Sequence, residues 1–138
     1  MQNEKPSIVK WLVLPRGDSA RWSGMYVTIN PLGKIALSRT THERFGAPAA
    51  VLIVYDPMRS LIALRPATPE EENAYPLRKH GKGSGRTIRA YRLVSDFGIQ
   101  PAETIEFIEP KIDNDGQLVL DLKNIRVSTR ALGWKKRQ

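Results

Sequence analysis

Cysteine is absent from the sequence. That excludes disulfides, thiolate metal sites and a cysteine nucleophile, and it fits a reducing compartment. Histidine is nearly as scarce, with His42 and His80 the two present. No cluster of histidine and carboxylate has metal-ligand spacing. Asp113, Asp115 and Gly116 echo a calcium loop, but its twelfth position is Asn124 rather than the bidentate Glu such a loop needs. His42 and the adjacent Glu43 fall on neighbouring helix faces, so His42 reads as a lone surface histidine. The expectation is no enzyme, no cofactor and no metal. Long apolar runs are missing too, and nothing approaches the ~18 residues of a membrane span. The N-terminal stretch IVKWLVLP is interrupted by Lys10 and has no small-residue cleavage site. A soluble cytoplasmic protein with no membrane partner is expected.

Acidic residues are unevenly short. The net charge is +8, from 22 Lys and Arg against 14 Asp and Glu. Residues 77–92 carry six basic residues and no acidic one, and 122–138 repeat that balance, whereas 93–121 carry one basic and seven acidic residues. Such asymmetry points to a polyanion on one face. The candidate nucleic-acid contacts are Lys34, Arg39 and Arg44, then Arg78, Lys79 and Lys82, then Arg86, Arg89 and Arg92. Arg89 should point outward if Ile88 is core, because strand side chains alternate. The HGKGSGR stretch, 80–86, lacks the spacing of a Walker loop, though its glycines let backbone N–H groups approach phosphates. Aromatics are only 7% of the chain; Trp11, Trp22 and Trp134 would be stacking platforms if exposed and core residues otherwise.

Along the chain, 1–25 is a lead-in with an extra strand at Ile8–Leu14 and a turn at Arg16–Ser19. Tyr26–Ile29 and Lys34–Leu37 read as two strands joined by an Asn-Pro-Leu-Gly turn. Ser38 caps a short helix through about Phe45, and Gly46 stops it. Val51–Tyr55 is apolar throughout, as in a strand buried on both faces, and Ser60–Leu64 is its hairpin partner. Residues 68–85 read as a basic Gly-rich linker, mobile when free. Thr87–Ala90 is a strand, Tyr91–Phe97 a helix closed by Gly98, Thr104–Ile108 and Leu118–Leu122 strands, and 123–138 a basic tail.

These elements recur. Phe45-Gly46 matches Phe97-Gly98, Ile35 and Leu37 match Ile88 and Ala90, and Leu61–Leu64 matches Leu118–Asp121. The division is therefore a first repeat at 26–67 and a degenerate, more acidic second repeat at 86–122, within one compact domain. Neither unit could bury its apolar face alone.

The first repeat resembles the AbrB/SpoVT-type swapped-hairpin domain. The residues carrying the resemblance are Val27–Ile29, Gly33-Lys34, Ile35–Leu37, Ser38-Arg39, His42-Glu43, Phe45-Gly46 and Leu61–Pro66. Gly-Lys stands where that family has Gly-Arg, and Ser38 where it has Pro. Two copies in one chain resemble the tandem MraZ-type arrangement. The resemblance implies a mainly β fold with short helices, a swapped-hairpin β-barrel formed as an intrachain pseudo-dimer. It also implies DNA contact by Lys34 and Arg39. The functional expectation is a DNA-binding transcriptional regulator of AbrB-like type. RNA, single-stranded DNA and homodimer formation stay open as partners. The alternative is a protein-interaction module, antitoxin-like or associated with phage or mobile elements, without nucleic-acid contact.

Overall fold

The computed structural model describes residues 25–79, 83 and 85–128. The Ile8–Leu14 strand, the three tryptophans, His80, Lys82 and the chain beyond Ser128 lie outside the described residues. Eleven strands and two helices follow in order: β1 (Val27–Ile29), β2 (Lys34–Leu37), α1 (Arg39–Arg44), β3 (Ala50–Asp56), β4 (Leu61–Ala67), β5 (Tyr75–Pro76), β6 (Arg78–Lys79), β7 (Arg86–Arg89), α2 (Tyr91–Phe97), β8 (Ile105–Phe107), β9 (Lys111–Ile112), β10 (Leu118–Asp121) and β11 (Ile125–Val127).

Local chemistry accounts for the ends of these elements. The β1–β2 turn is cross-braced by Asn30, whose side-chain oxygen accepts from the Leu32 N–H at 3.0 Å and the Lys34 N–H at 2.8 Å. Gly33 there has φ +93°, a left-handed conformation that favours glycine. A Cβ at Gly33 would also lie 2.8 Å from the Ala90 carbonyl oxygen. Ser38 caps α1, accepting from the Thr41 N–H at 3.2 Å. Gly98 closes α2 with φ +69°, and the Ile99 N–H returns to the Leu93 carbonyl, satisfying an orphan acceptor at the helix end.

All pairing is antiparallel. A six-stranded sheet runs β11-β8-β1-β2-β7-β6 and a five-stranded sheet runs β5-β3-β4-β10-β9. One core lies between them, with Val27, Ile29, Ile35, Ile88 and Phe107 from the first sheet meeting Val51, Ile62, Leu64, Leu118 and Leu120 from the second. Leu93 of α2 and Phe45, just past α1, complete it. Packing against this core, rather than helix propensity, sustains helices of six and seven residues, which would not persist alone in water.

Several expectations need correction. The strands form two open sheets, not a closed barrel. Three segments pass from one sheet to the other and break where they turn the corner. The first is β5–β6, interrupted at Leu77, whose N–H donates to the Ala49 carbonyl at 3.0 Å. The second is β8–β9, interrupted at Glu109 with φ +57° and Pro110. The third is β10–β11, interrupted by the turn at Asp121–Asn124, where the Asn124 N–H donates to the Asp121 carbonyl. The expected linker therefore holds two strands, because residues 75–79 supply hydrogen bonds to both β3 and β7. The expected tail holds β11, which pairs with β8. The strand predicted at Val51–Tyr55 is not buried on both faces, since Val54 on its far side is 38% exposed. His42 is not a surface residue. It is buried, and its Nε2 lies 2.9 Å from the Pro48 carbonyl oxygen, a bond that ties the end of α1 to the chain entering β3.

Candidate nucleic-acid interface

Strand alternation gives the six-stranded sheet a second face, away from the core. Ile29, Ile35, Leu37 and Ile88 point inward, so Thr28, Lys34, Ala36, Thr87 and Arg89 point outward. Registers align this outer face into rows. One row crosses the whole sheet as Arg126, Glu106, Thr28, Ala36, Thr87 and Arg78. Its middle is small and its ends are cationic. Glu106 is buried and already committed, accepting from Arg126 at Nε and Nη2, both at 3.2 Å. That bond and the carboxylate charge raise the Arg126 pKa.

The next row places Lys34 directly opposite Arg89. Neither has a carboxylate partner among the described residues. Like charges facing each other across a strand pair are destabilising. The neighbouring register sets Lys79 beside Arg86, and Arg86 beside Leu37. Arg86 is half-buried and its Nη1 donates to the Gly85 carbonyl at 3.1 Å.

Over this face runs an open groove of about 530 Å³. Lys34 and Arg39 supply its cations, Arg86 lies along its wall beside Leu37, and the hydroxyl residues Tyr26, Ser38 and Thr104 line it together with the buried Thr28 and Ser128. The hydroxyls are ordered. Tyr26 Oη and Ser128 Oγ are 2.8 Å apart, as are Ser38 Oγ and Thr41 Oγ1. Gly85 forms part of the wall because a Cβ there would lie 2.9 Å from the Leu37 carbonyl oxygen. Cations combined with hydroxyl donors are the groups that hold phosphate and sugar oxygens.

The nine sequence candidates divide by position. Lys34, Arg39 and Arg86 line the groove, and Arg89 faces Lys34 beside it. Arg78 and Lys79 extend the same sheet on its β6 edge. Arg44 is exposed in the last turn of α1 and does not line the groove. Arg92 also lies off the groove; its Nε donates to Asp96 at 2.7 Å one turn along α2. Arg39 likewise donates to Glu43 at 2.9 Å. These bonds and the carboxylate charges raise both arginine pKa values. Exposed i,i+4 pairs of this kind hold their partners weakly, so Arg39 remains available to an anion at small cost. Lys82 lies outside the described residues.

Sequence reasoning missed the uncharged part of the groove. Tyr26, Thr28, Thr104 and Ser128 are scattered over a hundred positions and carry no spacing signal; the alternation Val27-Thr28-Ile29 marked Thr28 only as outward-facing. Arg126 was read as part of a tail, yet its pairing with Glu106 neutralises the one carboxylate on the row. Among the described residues no group of three or more potential metal ligands occurs, and no helix is long and apolar enough to cross a membrane. Comparisons with protein-family models, with curated proteins and with solved structures return no significant match.

Proposed function

We propose that this protein binds nucleic acid, with duplex DNA as the partner, through the outer face of the six-stranded sheet, and that it acts as a transcriptional regulator. The observation that carries the reading is the Lys34–Arg89 pair, two cations set opposite each other with no carboxylate partner among the described residues. A fold gains nothing from that arrangement, whereas a phosphate backbone lying across it would offset the repulsion with counterion release. The adjoining hydroxyl-lined groove with Arg39 and Arg86 suits backbone contacts, which position a protein without reading sequence.

The strand registers support the finer fold reading, a degenerate duplication in one chain related to the AbrB-like and MraZ-like arrangement. Corresponding strands meet as antiparallel neighbours, β2 with β7 and β4 with β10. The remaining pairings come in twos. The β1·β2 pair answers β6·β7, and β3·β4 answers β9·β10. The β1·β8 pair answers β5·β3, where Thr28↔Glu106 corresponds to Pro76↔Ala50. An approximate two-fold axis through β2·β7 and β4·β10 accounts for all of these. On this reading the three corner-turning segments join the two open sheets of an intrachain pseudo-dimer.

Gel-shift titrations with duplex DNA, single-stranded DNA and RNA at two salt concentrations test the function. Duplex affinity should fall steeply with salt, and Lys34→Ala and Arg89→Ala should each reduce the logarithmic salt slope by about one. Affinity independent of salt, or variants that bind like the parent, would favour the protein-interaction reading instead.

A further inference from the structure

Leu32 stands at the tip of the β1–β2 turn and is 69% exposed. Its position is unusually well held for a turn residue. The Asn30 side chain accepts from the Leu32 and Lys34 N–H groups, and the backbone of Asn30 bonds to Gly33 and Lys34, both at 3.0 Å. Behind the tip, the Gly33 carbonyl accepts from the Ala90 N–H at 3.1 Å. The Gly33 backbone lies so close to the start of α2 that a Cβ would sit 3.2 Å from the Tyr91 Cα. Tyr91 is itself 48% exposed. The turn is therefore braced both by its own hydrogen bonds and by a second element.

A single exposed leucine is ordinary. Here the setting differs. Lys34 follows Leu32 by two residues, Arg89 precedes Tyr91 by two, and Lys34 and Arg89 are register partners. Leu32 and Tyr91 thus lie two residues along the chain from a cation pair that has no carboxylate partner among the described residues. The other prominent tip, Met58 at 92% exposed, lies in a turn where Asp56 pairs with Arg59 at 2.7 Å, so no unpaired cations adjoin it there. Reach also fits. Two residues of chain span at most about 7 Å, and the minor groove is about 6 Å wide. A lysine on one phosphate strand would place the tip two residues away over the groove.

We propose that Leu32 is an apolar wedge that enters between base pairs from the minor groove, with Tyr91 backing it and Lys34 and Arg89 clamping the flanking phosphates, so that the protein bends the duplex it binds. This rests on the duplex-binding reading above. Inserting an apolar side chain partly unstacks a base step, and the bent duplex then wraps more protein surface. Bracing matters because a floppy tip would fold back rather than pay for unstacking.

The test uses the full-length chain and a duplex labelled at both ends with a fluorescence donor and acceptor. Saturating protein should raise energy transfer between the ends. Leu32→Ala should return transfer to the value of the free duplex while retaining salt-dependent duplex binding, and Leu32→Met should restore the bend. Lys34→Ala should instead lower the salt slope. Binding without any change in transfer, or equal bending by Leu32→Ala, overturns the wedge and leaves duplex binding standing. No duplex binding by the parent protein overturns both. Circular dichroism of Leu32→Ala, expected to match the parent because the side chain is exposed, separates loss of bending from loss of fold.

Discussion

Lys34 and Arg89 carry the clearest opposition between stability and use in this protein. Each sits on a strand whose other face is fully buried core, Ile35 and Ile88, so neither can swing its backbone away from the other. Replacing one by threonine removes the repulsion and supplies a better strand former. Lys34→Thr and Arg89→Thr should therefore each raise the melting temperature of the free protein, by a gain of about 0.5 kcal/mol or less, while weakening nucleic-acid binding. Thermal melts alongside the gel shifts check this. A variant that melts lower and binds as before would remove the reason for placing function at this pair. At the same scale, alternation along Arg86–Arg89 made Arg89 legible as outward-facing, and the structure leaves it exposed opposite a buried Ile88. His42 was not legible. Its burial depends on Pro48 returning over the end of α1, a contact made by the path of a loop rather than by any local pattern.

Turns and caps at the scale of elements are held largely by carboxylates and amides. Asp113 organises the β9–β10 turn, accepting from the Gln117 side chain and from the Gln117 and Asp115 backbone N–H groups, all at 2.9 Å. The Gln117 side-chain bond, followed by the backbone bonds, holds its pKa below the usual aspartate value. The side-chain bonds of Arg59 and Arg92 lower Asp56 and Asp96, and the Lys123 backbone N–H, followed by its side chain, lowers Asp121. A carboxylate depressed in the folded state contributes stability that is complete above its unfolded pKa, about 3.9. That contribution is lost as pH falls through the folded value. Melting temperature should accordingly be insensitive to these groups above about pH 5 and fall below pH ~4. Asp113→Asn, which cannot titrate and loses the oxygen that accepts from the Gln117 side chain, should lower the neutral plateau and shallow the acid limb. A melting series in buffers from neutral to acid measures both. Most element ends were legible because their chemistry is local: an Asn-Pro-Leu-Gly turn, a Ser38 cap, Gly46 and Gly98 after short helices. The short strands at Tyr75–Pro76, Arg78–Lys79 and Ile125–Val127 were not. Each is only two or three residues long, and the first two are rich in charge or proline, so only its pairing partner makes it a strand.

Across the whole molecule, local hairpins are joined to one another by ladders between strands far apart in sequence. β1 and β2 need β8 and β7, and β4 needs β10. A hairpin unit deprived of those neighbours would expose Val27, Ile29, Ile35, Ile62 and Leu64, which are all fully buried here. The chain expressed as two pieces, 1–79 and 85–138, should give pieces that are each unfolded by circular dichroism and that gain structure when mixed. A piece that folds alone would contradict the mutual dependence of the halves. The slow formation expected of such non-local pairing makes refolding after dilution from denaturant a useful companion measurement.

From its own residues, the sequence determined where the chain turns, which short stretches are helical, which strand faces are apolar and that positive charge collects around residues 77–92. These follow from backbone sterics, capping and alternation, which act over a few residues. Tertiary structure alone decided that 75–79 and 125–127 join the sheets, that the sheets stay open at their corners, and that Lys34 faces Arg89 beside a groove lined by Tyr26 and Ser128. The physical reason is register. A row across the sheet is set by which strands become neighbours and at what offset, and here those neighbours come from opposite ends of the chain, brought together because only their joint core is large enough to bury both apolar faces.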